Sequence, residues 1–123
     1  MPRSVLIVED EATLAKNIQT YLLRCGYRAQ IAGSAEEAFA LLKSFKPDAV
    51  LLDFRLPGMD GLTALTRFQA LDPNLIVILT TGCGTDKITV EAMKAGAYDV
   101  LSKPVSLGTL RQLLEEALLT ADC

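Results

Sequence analysis

The feature that most constrains this chain of 123 residues is a fivefold alternation of short apolar runs with segments of helical apolar spacing. Apolar runs bounded by turn residues are typical of buried strands, whereas apolar residues three and four apart are typical of amphipathic helices. Strict alternation of the two predicts a parallel sheet with helices on both faces. The predicted strands cover residues 5–8, 27–31, 48–52, 75–79 and 98–102. We therefore expect a doubly wound α/β fold in one domain over residues 1–123, with any further domain beyond residue 123.

Local signals predict where several helices begin and end. Gly26 is a helix stop after the first helix, and Ser34 opens a capping box with Glu37. Ser106 can cap the last helix. The third and fourth helices are expected at residues 61–71 and 85–95. The apolar rows of the other helices are Leu14, Ile18, Leu22 and Cys25; Ala38, Leu41, Leu42 and Phe45; and Leu107, Leu110, Leu114, Ala117 and Leu118.

Composition excludes several classes of function. The net charge of −3 and the absence of a basic stripe argue against nucleic-acid binding within this domain. No run approaches the roughly 18 apolar residues of a membrane span, and the first residues lead directly into a strand without a signal peptide. Histidine is absent, and the three cysteines share no metal-ligand spacing. We expect a cytoplasmic protein with free thiols and without histidine chemistry.

Polar side chains stand at the carboxyl ends of four predicted strands. Glu9 and Asp10 follow the first strand, Asp53 the third, Thr80 the fourth and Lys103 the fifth. In open α/β sheets these ends face the ligand crevice. The sequence therefore predicts that three carboxylates, a hydroxyl and an ammonium converge on one rim of the sheet.

This set of groups matches the needs of phosphoryl transfer. Clustered carboxylates repel one another unless a cation lies between them, and Mg²⁺ prefers such hard oxygen ligands. Asp53 is either a metal ligand only or also a nucleophile that forms an aspartyl phosphate. Lys103 and Thr80 can then bind phosphoryl oxygens. The alternative is that Asp10 or Glu11 merely begins the first helix, and Asp60 is expected to be a turn or solvent residue.

Four motifs in order resemble the response-regulator receiver domain of two-component signalling along essentially the whole chain. They are Val8-Glu9-Asp10-Glu11, Leu52-Asp53 through Asp60-Gly61, Leu79-Thr80-Thr81-Gly82, and Gly96-Ala97-Tyr98-Asp99 followed by Ser102-Lys103-Pro104. The resemblance implies a flavodoxin-like (βα)5 domain whose strand order is 2-1-3-4-5. It also implies a sensor histidine kinase or phosphotransfer protein as the partner.

The resemblance also assigns roles to individual residues. Asp53 would accept the phosphoryl group, and Asp10, Asp53 and the backbone carbonyl of Arg55 would bind Mg²⁺. Glu9 would act mainly through a metal-bound water. Thr80 and Lys103 would contact phosphoryl oxygens, and the Lys103–Pro104 peptide would be cis. The domain would assist its own phosphorylation and dephosphorylation without being an enzyme for external substrates.

One position departs from the family pattern. Val100 stands three residues before the lysine, where the family commonly has an aromatic ring. Period two places Tyr98 on the same strand face, as a partial substitute. On the fourth helix, Val90 and Met93 widen the apolar row beyond what one core-facing stripe needs. This excess is either ordinary packing or a partner face. The resemblance implies that the face formed by the fourth helix, fifth strand and fifth helix dimerises or controls an output, with transcription favoured.

Two other classes of function stay open from the sequence. A receiver-like scaffold would bind a partner without phosphate, although the complete set of acidic residues, threonine and lysine argues against it. An aspartate-nucleophile phosphatase of the haloacid dehalogenase type would carry a second aspartate two residues after the nucleophile. This chain has Arg55 there.

Overall fold

The structure, a computed structural model, describes residues 3–82 and 86–121, with side chains described up to residue 118. Strands and helices alternate along the chain as the sequence predicts. In order they are β1 Ser4–Val8, α1 Ala12–Arg24, β2 Arg28–Ala32, α2 Ala35–Leu41, β3 Ala49–Asp53, α3 Gly61–Leu71, β4 Ile76–Thr81, α4 Asp86–Lys94, β5 Asp99–Ser102 and α5 Leu107–Ala121.

The five strands form one parallel sheet in the order β2-β1-β3-β4-β5, which confirms the predicted fold. In register across the centre, Ile7 pairs with Leu51, which pairs with Ile78. All five residues of β1 and of β3 are buried, because helices cover both faces of a parallel sheet. The edge strand β2 is less covered, with Arg28 and Gln30 exposed and Ala29 and Ala32 buried.

Alternate strand residues feed two separate cores. Leu6, Val50 and Val77 lie in the core beneath α2, α3 and α4. Val5, Leu51 and Ile78 lie in the core beneath α1 and α5. This follows from the period of two in a strand, which sends successive side chains to opposite faces. Glu9 lies two residues after Ile7, and Asp53 lies two residues after Leu51. Both Ile7 and Leu51 belong to the core beneath α1 and α5, so the period of two places Glu9 and Asp53 on the same side of the rim.

The predicted helix ends are confirmed where a cap is present. Ser34 Oγ accepts a hydrogen bond from the Glu37 amide at 3.1 Å, and Ser106 Oγ accepts one from the Thr109 amide at 3.3 Å. Gly26 adopts φ 92°, the left-handed geometry of a helix stop. Helix α2 ends at Leu41, earlier than its apolar spacing predicts, because i→i−3 bonds tighten the chain into a turn there.

Two predictions about strands are corrected. Strand β4 continues through Thr80 and Thr81, which pair in register with Asp53 and Ser102 respectively, so Thr80 lies in the strand and not in the loop after it. Tyr98 does not share a face with Val100. It packs against the core beneath α1 and α5, whereas Val100 packs against the other core. Tyr98 precedes β5, so strict alternation does not govern its side chain.

No helix in residues 3–82 and 86–121 is long and apolar enough to cross a membrane. Two of the three cysteines, Cys83 and Cys123, lie outside the described residues.

Candidate phosphoacceptor and metal site

The strand ends bring the predicted polar residues to one edge, here called the carboxyl edge of the sheet. Asp53 is the last residue of β3 and pairs in register with Thr80 of β4. Glu9 follows β1, and its amide donates to the Ala32 carbonyl of β2 at 3.0 Å. The Lys103 amide continues the ladder by donating to the Thr81 carbonyl at 2.9 Å. Backbone pairing thus fixes the Cα positions from which these side chains project.

Lys103 joins two of the carboxylates. Its Nζ donates to Glu9 Oε1 at 2.8 Å and to Asp53 Oδ2 at 2.9 Å. Hydrogen bonds between ionised groups at these distances are about twice as strong as neutral ones. The Lys103–Pro104 peptide is cis, as the resemblance implies.

Burial makes this pairing necessary. Asp53 is only 4% exposed and Glu9 only 5%. A buried carboxylate without a partner would be very costly, so the shared ammonium stabilises both. Burial lowers the pKa of Lys103, but the hydrogen bonds to Glu9 and Asp53 outweigh it and raise the pKa above its ordinary value of 10.5. Lys103 therefore carries a full positive charge at neutral pH.

The carboxylates also form a candidate metal site. One oxygen from each of Glu9, Asp10 and Asp53 lies within 4.8 Å of the others. Asp10 is exposed, while the other two are buried. A compact set of hard oxygen donors with one side open to water fits Mg²⁺, which keeps several of its waters. The donor chemistry therefore agrees with the predicted ion.

Backbone contacts hold the loop after Asp53 against the site. The Arg55 amide donates to Asp53 Oδ1 at 3.2 Å, and the Phe54 amide donates to the Thr80 carbonyl at 2.8 Å. The Gly61 amide closes the loop on the Phe54 carbonyl at 2.7 Å. A Cβ at Gly61 would lie 2.6 Å from Phe54 Cα and 2.9 Å from the Asp53 carbonyl oxygen. Only glycine fits there.

The structure places each predicted residue as follows. Glu9, Asp53 and Lys103 are in direct contact, Asp10 completes the carboxylate cluster, and Thr80 is buried beside Asp53 in the sheet. The metal-binding role of the Arg55 carbonyl stays a prediction. Asp60 is exposed as expected, and it also caps α3 by accepting from the Thr63 amide at 2.8 Å. Glu11 is the N-cap residue of α1 but makes no side-chain cap bond.

Sequence reasoning missed two features of the site. It did not identify the direct contact between Glu9 and Lys103, since no local pattern reports a partner 94 residues away. It also gave Gly61 no role. The signal available was a glycine at the first position of a helix where better helix formers are usual.

The predicted widening of the apolar row on α4 is confirmed. Ala92 is buried and Ile88 packs against the core, whereas Val90 and Met93 are 50% and 46% exposed. This leaves an apolar surface on α4 facing solvent.

Comparisons with known proteins agree with the geometry. A family profile described as the response regulator receiver domain matches residues 5–115. The C4-dicarboxylate transport transcriptional regulatory protein DctD of Rhizobium meliloti is 39% identical over 93% of this chain and 25% of its own length. The chain therefore spans about a quarter of that relative.

Solved structures show the same fold. A CheY-like response regulator receiver domain from Methanospirillum hungatei superposes with a TM-score of 0.94 at 28% identity, over 99% of this chain and 98% of that one. A CheX-CheY-BeF3-Mg²⁺ complex from Borrelia burgdorferi matches with a TM-score of 0.89 at 27% identity, over 96% and 90% of the two chains. This chain belongs to the response regulator receiver domain family.

Proposed function

We propose that this domain accepts a phosphoryl group on Asp53 from a phosphohistidine of a sensor histidine kinase or phosphotransfer protein. The observation that carries the proposal is a buried Asp53 carboxylate with the Lys103 ammonium at 2.9 Å and two further carboxylates beside it. In the transfer, an Asp53 oxygen forms a bond to phosphorus as the nitrogen–phosphorus bond breaks. The bonding electrons return to the imidazole of the donor.

The residues of this chain would supply charge and position. Lys103 already contacts Asp53, so its ammonium needs little movement to bind a phosphoryl oxygen. The Thr80 hydroxyl would bind a second oxygen. Asp10, Asp53 and the Arg55 carbonyl would hold Mg²⁺, with Glu9 acting through a bound water; the ion neutralises phosphoryl charge when bound. The domain would not turn over external substrates.

The downstream effect proposed is a change in the surface formed by α4, β5 and α5. The exposed Val90 and Met93 supply apolar area for a partner or a second copy. Relatives such as DctD and the protein ZraR of Salmonella typhimurium are named as transcriptional regulatory proteins. Control of transcription is therefore the favoured output, and the cytoplasm is the favoured location.

Phosphorylation with acetyl phosphate and Mg²⁺, followed by mass spectrometry, tests the acceptor. One phosphoryl group should appear on Asp53, and Asp53→Asn should abolish it. The matched control is Asp60→Asn, because Asp60 lies in the same loop but caps α3. A group located on serine, threonine or tyrosine would refute the proposal.

The same assay tests the metal ligands. Asp10→Asn should abolish phosphorylation while leaving the circular dichroism spectrum unchanged, because an exposed carboxylate contributes little to folding. Its control is Glu11→Gln, which alters the neighbouring carboxylate outside the cluster. Normal phosphorylation of Asp10→Asn in Mg²⁺ would contradict the assignment.

A further inference from the structure

A second surface lies at the other end of the sheet, here called the amino edge. It is a groove of about 450 Å³ between α2 and α3, bordered by the loops that lead into β3 and β4. Phe39 and Phe68 form its floor, with ring centroids 4.7 Å apart. Leu71 forms part of its wall and is 65% exposed. None of these residues belongs to the site around Asp53.

The groove adjoins a second depression. This second depression, lined by Phe39, Arg67, Ala70 and Leu71, shares two of these residues with the first. Phe39 and Leu71 therefore line both depressions. Two adjoining depressions lined largely by apolar side chains suit apolar residues that recur along one face of a helix.

Cations surround the groove without being neutralised. Lys43 and Lys46 lie on its rim and Arg67 beside its extension, and all three are exposed. None of them forms an ion pair with any residue in 3–82 or 86–121. The one acidic residue that lines it, Asp72, accepts a hydrogen bond from the Asn74 amide at 3.0 Å in its own turn. The local charge is positive on a chain whose net charge is −3.

We propose that the α2–α3 groove is a docking site for an acidic amphipathic segment of a partner protein. Its apolar side chains would cover Phe39 and Leu71, and its flanking carboxylates would pair with Lys43 and Lys46. Charge complementarity selects this occupant, because a basic or uncharged segment would leave the rim cations unpaired or repelled. The groove lies at the end of the sheet opposite Asp53 and shares no residue with the carboxylate cluster there. Docking that does not depend on phosphorylation is therefore part of the proposal.

The test uses a labelled helical peptide of about four turns, with leucines at i, i+3, i+4 and i+7 and glutamates flanking them. A matched peptide carries lysine at every glutamate position. Fluorescence anisotropy should show that the acidic peptide binds and the basic peptide does not. Amide chemical shifts on binding should change across residues 39–47 and 67–75. Equal binding of both peptides, or shifts confined to the Val90–Met93 surface, would overturn the proposal.

Charge reversal separates the rim from general electrostatics. Lys43→Glu combined with Lys46→Glu should weaken binding of the acidic peptide about tenfold, as expected from losing two surface pairs and adding repulsion. The control combines Lys16→Glu with Lys94→Glu, which makes the same change of charge on α1 and α4. If both double variants bind alike, the groove is not the site.

Leu71→Ser tests the apolar contact. Leu71 is 65% exposed, so replacing it should leave the fold intact. The affinity for the acidic peptide should fall several-fold, because its apolar contact with Leu71 is lost. Leu23→Ser is the matched control, since Leu23 is 52% exposed on α1. Adding beryllofluoride and Mg²⁺ should leave the affinity unchanged. Self-association of the unmodified chain that Leu71→Ser abolishes would name a second copy as the occupant and overturn the proposal.

Discussion

At the carboxyl edge of the sheet, the Lys103 ammonium lies 2.8 Å from Glu9 and 2.9 Å from Asp53. At the amino edge, Lys43 and Lys46 border an apolar groove and form no ion pair among the described residues. The first edge stabilises its buried charges internally, through the shared ammonium. The second leaves both cations and apolar area available. Lysines of one chain thus differ according to whether the fold places a carboxylate beside them: Lys103 has two such partners, whereas Lys43 and Lys46 have none among the described residues.

Replacing the lysines of each edge in turn is the strongest way to break this comparison. Lys103→Met should lower the free energy of unfolding by about 3–5 kcal/mol, because two buried carboxylates lose their counterion. Lys43→Met and Lys46→Met should stay within about 0.5 kcal/mol of the parent. Urea unfolding in the presence of a chelator measures all three. Equal losses would mean that the Lys103 pair contributes no more than surface charges do.

The comparison also rests on a tightly packed carboxyl edge. Gly61→Ala should lower the free energy of unfolding by about 1–3 kcal/mol, because the new methyl group would clash with the backbone of Phe54 and Asp53. Gly108→Ala in α5 is the control. Nothing lies within 4 Å of its added Cβ, so its free energy of unfolding should rise by about 0.5–1 kcal/mol. Thermal unfolding of the two variants should shift in opposite directions. An unchanged unfolding temperature in Gly61→Ala would show that the loop after Asp53 can move to accommodate the added methyl group.

The switch should affect one edge and spare the other. Thr80→Ala should still accept phosphate, but losing one charge-assisted hydrogen bond should weaken activation by about 1.5 kcal/mol. Amide shifts on adding beryllofluoride and Mg²⁺ should then shrink across residues 86–103. Val100→Tyr should alter those shifts without changing phosphorylation.

Residues 39–47 and 67–75 at the amino edge serve as the internal reference in that experiment. Their shifts should stay small in the parent protein and in both variants. Unchanged shifts over residues 86–103 in Thr80→Ala would remove Thr80 from the switch.

The smallest expected effect is a response to alkaline pH near the amino edge. Burial raises the pKa of Tyr27, which precedes β2, above its ordinary value of 10.0, and the charge of Glu115 adds to this. The folded state therefore holds the proton more tightly than the unfolded state. Its contribution is complete below pH 10.0 and is lost as pH rises through the higher folded pKa.

Tyr27→Phe should make the free energy of unfolding less dependent on pH in that range. The free energies of unfolding of parent and variant should differ by no more than about 0.5 kcal/mol, because water screens a partly exposed group. Unfolding free energies of parent and variant between about pH 9 and 11 would measure it, in the window set by the phenol's ordinary pKa. A parent curve no steeper than that of the variant would contradict the prediction.

Local sequence signals determined much of the fold. Ser34 and Ser106 cap their helices, and Gly26 ends α1, because each of these effects needs only neighbouring backbone groups. Apolar periodicity also identified the strands and their parallel arrangement. Tyr98 is the exception: it stands outside β5, where periodicity no longer applies, and its ring packs on the opposite face.

The sequence by itself determined which residues reach the carboxyl edge, because strand ends and alternation are local properties of the chain. Only the tertiary structure decided that Lys103 pairs with Glu9 and Asp53, 94 and 50 residues away. It also decided that Gly61 packs on Phe54 and that Lys43 and Lys46 border a groove. These depend on which strands and helices become neighbours in space, and periodicity specifies the face of an element without specifying its partner.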